Sequence, residues 1–413
     1  MQKLNAANQK LATLYPGDSI ARQPVHTFIV SGDLFTHDTA QRAGAEAIVT
    51  LNQYGRTAQA FAEAIGLPST DPVLSERVSA RVINKLEREP VEDLRIDFED
   101  GYGARPDPEE DGHAESAARQ VAAGMKAKTL PPFIGIRIKP MSRELHVRSL
   151  RTLDIFVTTL VKSAKRLPDN FAITCTKVMV PEHVAAVDRA CTRLERKLKL
   201  KAKTIKLEVM IETPQSVIAA DGSSAIRVLV NAGGGRVRGA LLGVYDYTAL
   251  VGITAAHQHP RHQACDFARH MMQVALAQTG VTLSDGGSNV FPVAPVVHDA
   301  WKTHFADVTH ALVNGYYQGW DLHPAQLPTR YAAVYAFYLS ALPKATHRLK
   351  TFFGKAEKAG SAFDDAATGQ ALVNFFTRGV NAGAVTIEEA METGLRESEL
   401  RGSSFLAILR GRS

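Results

Sequence analysis

Eight short β-rich segments, mostly separated by helix-like stretches, constrain this chain more than any other feature. They fall at 26–30, 93–99, 133–139, 171–180, 206–212, 238–245, 290–295 and 318–323. Parallel strands need crossover connections, usually helical, and eight such units describe a sheet closed into a barrel. The expected fold is α/β, a (β/α)8 TIM barrel. The series is longer than the roughly 250 residues typical of that barrel, so an insertion is expected around 52–90. The boundaries that follow are a barrel over 1–330 and a helical C-terminal region over 331–413. That region is expected to hold helices at 331–342, 369–378 and 387–395, with a Lys/Gly-rich break at 351–360.

Composition narrows the function classes. With 413 residues, 45% of them hydrophobic, the chain can bury a large core. No apolar run is long enough to span a bilayer and no secretory h-region opens the sequence, so no membrane partner is expected. Cys175, Cys191 and Cys265 form no CxxC pair. That pattern favours reduced thiols, a cytoplasmic location and no zinc site. The formal charge is +6, and the densest basic run lies between Arg193 and Lys203. Its leucines recur at helical spacing, as on a solvated helix end. No zinc-finger or RNP-like pattern accompanies it, so no nucleic-acid partner is expected.

The stretch from Lys206 to Pro214 carries two acids on what should be a buried strand. Strand side chains alternate with period two. Leu207, Val209 and Ile211 share one face; Glu208, Met210 and Glu212 share the other. In a parallel barrel one strand face packs on helices and the other points inward. The same parity puts Asp97 and Glu99 inward from one strand, and Gly135, Arg137 and Lys139 from the next. Lys177, Asp246, Asp321 and His323 fall at or near the ends of further strands. The C-terminal strand ends of such barrels hold the active site. Glu208 lies about 13 Å deeper than Glu212 at about 3.3 Å per residue. It is expected to neutralise a basic interior group, leaving Glu212 at the mouth.

A mouth holding Glu212, Asp246 and Glu99 together is self-repelling unless a carboxyl protonates or a cation intervenes. Oxygen donors without a His/Cys cluster point to Mg2+, or Mn2+, which takes one or two carboxylates and fills its shell with water and substrate oxygens. Arg137 offers a planar fork for a substrate carboxylate or a developing enolate. Metal plus arginine suits the enolate of a 2-oxo acid.

These residues resemble the motifs of a known family. Asp97, Phe98, Glu99 and Asp100 are similar to the Asp-Leu-Glu-Asp turn of the citrate lyase β-subunit, malyl-CoA lyase and HpcH/HpaI aldolase family. Gly135 through Pro140 resembles its arginine strand. Met210 to Pro214 and Gly243 to Asp246 resemble its metal-ligand strands, and Leu322 to Gln326 its closing Ile-His-Pro segment. The resemblance implies a phosphoenolpyruvate/pyruvate-type barrel in which Glu212 and Asp246 bind Mg2+, Arg137 binds substrate, and Glu99 and Asp100 line the metal's water shell. It further implies a carbon–carbon lyase or aldolase acting on an oxo acid or acyl-CoA, assembled as a trimer or hexamer. In the acyl-CoA lyases a C-terminal segment covers the neighbouring subunit's site and brings an aspartate. The stretch 360–365 is similar to it, making Asp364 or Asp365 the catalytic candidate.

Blander readings stand beside these. Glu212 and Asp246 would instead be a structural ion pair with Arg137 or Lys177, and Arg137 would merely neutralise Glu208. Lys177 would bind substrate, form a Schiff base, or only pair with an acid. His323 reads as a satisfied structural histidine, His257, His259 and His262 as solvated surface, and the stretch 284–289 as a plain turn. Two functional alternatives remain: phosphoryl chemistry on phosphoenolpyruvate, and a non-catalytic oxo-acid binder.

Overall fold

In the computed structural model, residues 1–19, 21–68, 71–359, 366–400 and 404–411 are described. Eight parallel strands follow one another around a barrel: β1 (His26–Ser31), β2 (Asp93–Asp97), β3 (Phe133–Ile138), β4 (Phe171–Cys175), β5 (Lys206–Ile211), β6 (Val237–Leu242), β7 (Thr282–Ser284) and β8 (Gly319–Asp321). Each pairs with its neighbour in sequence, and β8 returns to β1 through His26 beside Gly319. The seam between β7 and β8 is narrower. It is made by a bridge between Gly287 and Trp320 and by the Asp285 N–H donating to the Gln318 carbonyl at 2.8 Å.

Parity sorts the side chains as the alternation predicts. Leu207, Val209 and Ile211 pack outward in the main core, while Met210 joins Leu241, Trp320 and Ile29 in a separate interior cluster. Beneath that layer lies a charged one. Glu208 meets Arg95 at 2.6 Å, Arg238 at 3.0 Å and the Thr174 hydroxyl at 3.1 Å. Arg95 also pairs with Asp93, which accepts from Thr27. Gly135 lets β3 and β4 approach here, because a Cβ at that position would sit 1.9 Å from the Ala172 carbonyl oxygen.

Several elements differ from the sequence-based expectation. The stretch 290–295 is not a strand; the seventh strand is β7, three residues long and earlier in the chain. The stretch 284–289 is therefore no plain turn but the end of β7 and the barrel seam. Its Asp285 is buried and held by Arg269 at 2.9 Å. Asp246 does not end β6; it lies in the first turn of the helix Val244–Leu250. The helix Leu327–Ala359 runs through the expected break at 351–360 as far as Ala359. Buried Leu349 and Phe353 hold its later turns to the core.

The stretch between β1 and β2 forms the helices Thr39–Tyr54, Ala58–Ile65 and Pro72–Arg88. Phe61 meets Trp301 edge-on at 5.5 Å, and Pro72–Arg88 packs on Leu327–Ala359. The 330/331 division falls inside this last helix, whose Tyr331, Tyr335 and Tyr338 are all buried. No helix among the described residues is long and apolar enough to cross a membrane. All three cysteines are free and buried.

Candidate active site

The barrel brings Glu99, Asp100, Arg137, Lys177, Glu212 and Asp246 together at the C-terminal ends of β2 to β6. Asp97, the last residue of β2, organises the turn that follows. Its carboxylate accepts from the backbone N–H of Glu99 at 2.9 Å and of Gly101 at 2.8 Å, and pairs with Arg137 at 3.3 Å. Glu99 and Asp100 are thereby aimed across the mouth. Arg137 reaches Glu99 at 2.7 Å and Asp100 at 3.4 Å. Lys177 pairs with Glu99 and with Asp100 at 2.8 Å, and lies 3.8 Å from Asp246. Lys139, expected on the same face as Arg137, leaves the mouth for Glu110 at 2.8 Å.

Glu212 follows β5 directly and is buried. The backbone N–H of Lys177 donates to it at 2.6 Å. Lys177 holds a left-handed φ of +46°, a strained conformation for a lysine that this bond helps to fix. Gly243 leaves the carboxylate its space, since a Cβ there would lie 2.4 Å from a Glu212 oxygen.

The charges are unequally balanced. Burial pushes the Glu212 carboxyl up to about 7, with Arg137 opposing and Asp246 adding to the rise. Burial likewise raises Asp246 and Glu99 against the pull of Lys177 and Arg137. For Asp100, burial is outweighed by Lys177, the Glu99 hydrogen bond and Arg137, so it stays below the ordinary value. Burial would lower Lys177, yet Glu99 and Asp100 hold it well above the usual lysine range. This favours the charged form of Lys177 over the neutral amine that a Schiff base needs.

Among the described residues, no three His, Cys, Asp or Glu side chains gather into a preformed metal cage. That excludes the described residues as a cage for a fully protein-ligated ion. Mg2+ needs only one or two carboxylates and keeps several waters. Glu212 and Asp246 are two carboxylates at this mouth, both raised chiefly by burial.

Other expected residues lie elsewhere. Asp364 and Asp365 fall outside the described residues. Asp321 turns outward, where Arg330 at 3.0 Å, His26 at 3.1 Å and His304 at 3.1 Å hold it; burial opposes them, but its carboxyl stays well below the ordinary range. His323 caps the short helix Pro324–Gln326 through the Ala325 N–H. His262 caps Gln263–Leu276 in the same way, and His259 packs edge-on against it. Glu208 is neutralised by Arg95 and Arg238, not by Arg137. Strand parity predicts only that Asp97 points inward. Only its position two residues before Glu99, where a carboxylate can bind turn N–H groups, signals the task it performs.

These features define a (β/α)8 barrel with a carboxylate-rich mouth. The chain belongs to the family described as Domain of unknown function (DUF6986), whose model matches residues 4–408. No curated protein matches it. A citrate lyase from Burkholderia xenovorans is similar in structure, with TM-score 0.56 and 18% identity, covering 76% of this chain and 92% of that one. A Haloferax volcanii malate synthase, solved with glyoxylate, overlaps with TM-score 0.50 and 15% identity, covering 90% of this chain and 97% of its own. The resemblance first read from the motifs holds at the level of the fold.

Proposed function

We propose that the chain is a Mg2+-dependent carbon–carbon lyase or aldolase working through a pyruvate- or oxaloacetate-like enolate. One observation carries the reading: Glu99, Asp100, Arg137, Lys177, Glu212 and Asp246 converge around a buried carboxyl held near pKa 7. Glu212 and Asp246 would hold the ion, Mg2+ or Mn2+, and the ion would supply polarisation of a substrate oxygen. Arg137 would bind the substrate carboxylate and offset negative charge as the bond breaks. Lys177 would hold Glu99 and Asp100 in place beside the substrate. Proton transfer would fall to water at the ion or to an aspartate of a neighbouring subunit in a trimer or hexamer, with Asp364 or Asp365 the candidates. The fold neighbours, a citrate lyase and a malate synthase by name, support this reaction class.

The test is a screen of 4-hydroxy-2-oxo acids and 3-hydroxyacyl-CoA esters, with and without Mg2+, for release of pyruvate, glyoxylate or acetyl-CoA. Turnover that disappears with EDTA is the expected result. Tight oxo-acid binding without turnover would replace the lyase with a sensor. Phosphate release from phosphoenolpyruvate would replace it with phosphoryl chemistry.

A further inference from the structure

Two hydrogen-bond donors inside the barrel have no acceptor among the described residues: Nε of Arg137 and Nε1 of Trp320. Both residues are buried, at 6% and 7% exposure. The Arg137 guanidinium carbon lies 5.4 Å from the Trp320 ring centroid, so the guanidinium stands over the indole ring. The other Arg137 nitrogens are engaged, Nη1 by Asp97 and Nη2 by Glu99 and Asp100. Trp320 packs on Met210, Leu241 and Ile29, whose side chains supply only apolar surface and a weakly accepting thioether. Buried donors are rarely left unpaired. Two on neighbouring side chains would suit an acceptor that offers two oxygens, as a carboxylate does.

We infer that Trp320 is a substrate-binding residue: its indole N–H, together with Nε–H of Arg137, donates to the carboxylate of the oxo acid. The inference rests on the oxo-acid reading above and adds a residue to it. A carboxylate matches both the charge of the guanidinium and the pairing of the donors. The indole face also limits how the guanidinium can rotate, so Trp320 fixes the plane in which the carboxylate is held.

Oxalate, a planar dianion that chelates divalent cations, is the probe. Its affinity in the presence of Mg2+ is measured by calorimetry for the wild-type chain and for Trp320→Phe, which keeps an aromatic ring and removes the N–H. Loss of a hydrogen bond to a charged group predicts oxalate binding weaker by about tenfold or more. Mg2+ binding without oxalate should be unchanged, and circular dichroism should report a native fold. In the wild-type protein the indole emission should shift on oxalate binding. The other tryptophan, Trp301, is fully buried and donates to the Ala325 carbonyl at 2.8 Å, so the shift should vanish in Trp320→Phe.

Equal oxalate affinity in the two proteins overturns the assignment and leaves the oxo-acid site standing. No oxalate binding by the wild-type chain overturns both. If Trp320→Phe does not fold, the wild-type emission decides: a spectrum unmoved at saturating oxalate removes Trp320 from the site.

Discussion

Glu212 carries a cost that the rest of the mouth does not relieve. Its folded-state pKa of about 7 lies above the ordinary 4.5, with burial the largest cause. Across that window the folded chain binds more protons than the unfolded one, so stability falls as pH rises from about 4.5 to about 7. A displacement of that size corresponds to roughly 3 kcal/mol, fully felt above pH 7. Glu212→Gln should therefore raise the melting temperature at pH 8 and leave it nearly unchanged at pH 4.5. The same variant should lose Mg2+ binding by calorimetry. A variant that binds Mg2+ normally would remove Glu212 from the metal site. A melting temperature that does not rise at pH 8 would show that the carboxyl is not destabilising. Glu212 was legible in the sequence because an acid on a buried strand face needs a reason. Its partner through the Lys177 backbone N–H was not, since that bond depends on a left-handed lysine that no periodicity marks.

β5 separates its two glutamates by function as well as by depth. Glu208 is buried with Arg95 and Arg238, whose charges outweigh burial and bring it down to about 2. Because the folded value is depressed, its stabilising contribution is complete above about 4.5 and is lost as pH falls toward about 2. Glu208→Gln should cost about 3–5 kcal/mol at pH 7, because Arg95 is left with a weakened buried partner set. Urea unfolding at pH 7 and pH 3 checks this: the gap between wild type and variant should narrow at pH 3. Mg2+ binding should survive in the variant, which separates the interior charge layer from the mouth. Parity alone predicted this split, because period two holds wherever a strand is regular. The identities of Arg95 and Arg238 were not read, since neither lies in a recognisable motif. β7 was misplaced for the opposite reason: three residues carry too little alternation to be seen, and the apolar stretch 290–295 offered a stronger pattern.

The barrel and the helix that follows it are joined through buried groups rather than through a linker. Arg330 opens Leu327–Ala359 by pairing with Asp321 of β8, and the Tyr331 hydroxyl donates to the Pro90 carbonyl just before β2 at 2.9 Å. Further out, Glu389 of the helix Ile387–Met391 pairs with both Arg77 and Arg81 of Pro72–Arg88 at 2.7 Å. The helices between β1 and β2 thus serve as the seat for the C-terminal helices. Motif reading gave a boundary at 330/331 because sequence motifs stop there, whereas packing does not. Buried tyrosines and ion pairs couple the C-terminal helices to the barrel. The full chain should therefore melt in one calorimetric transition whose van't Hoff and calorimetric enthalpies agree. A chain ending at Gln326 should fail to fold, because Asp321 would lose Arg330 and the faces now covered by Tyr331, Tyr335 and Leu349 would be open to water. Two resolved transitions, or a folded and Mg2+-binding chain ending at Gln326, would show that the C-terminal helices are an independent unit instead.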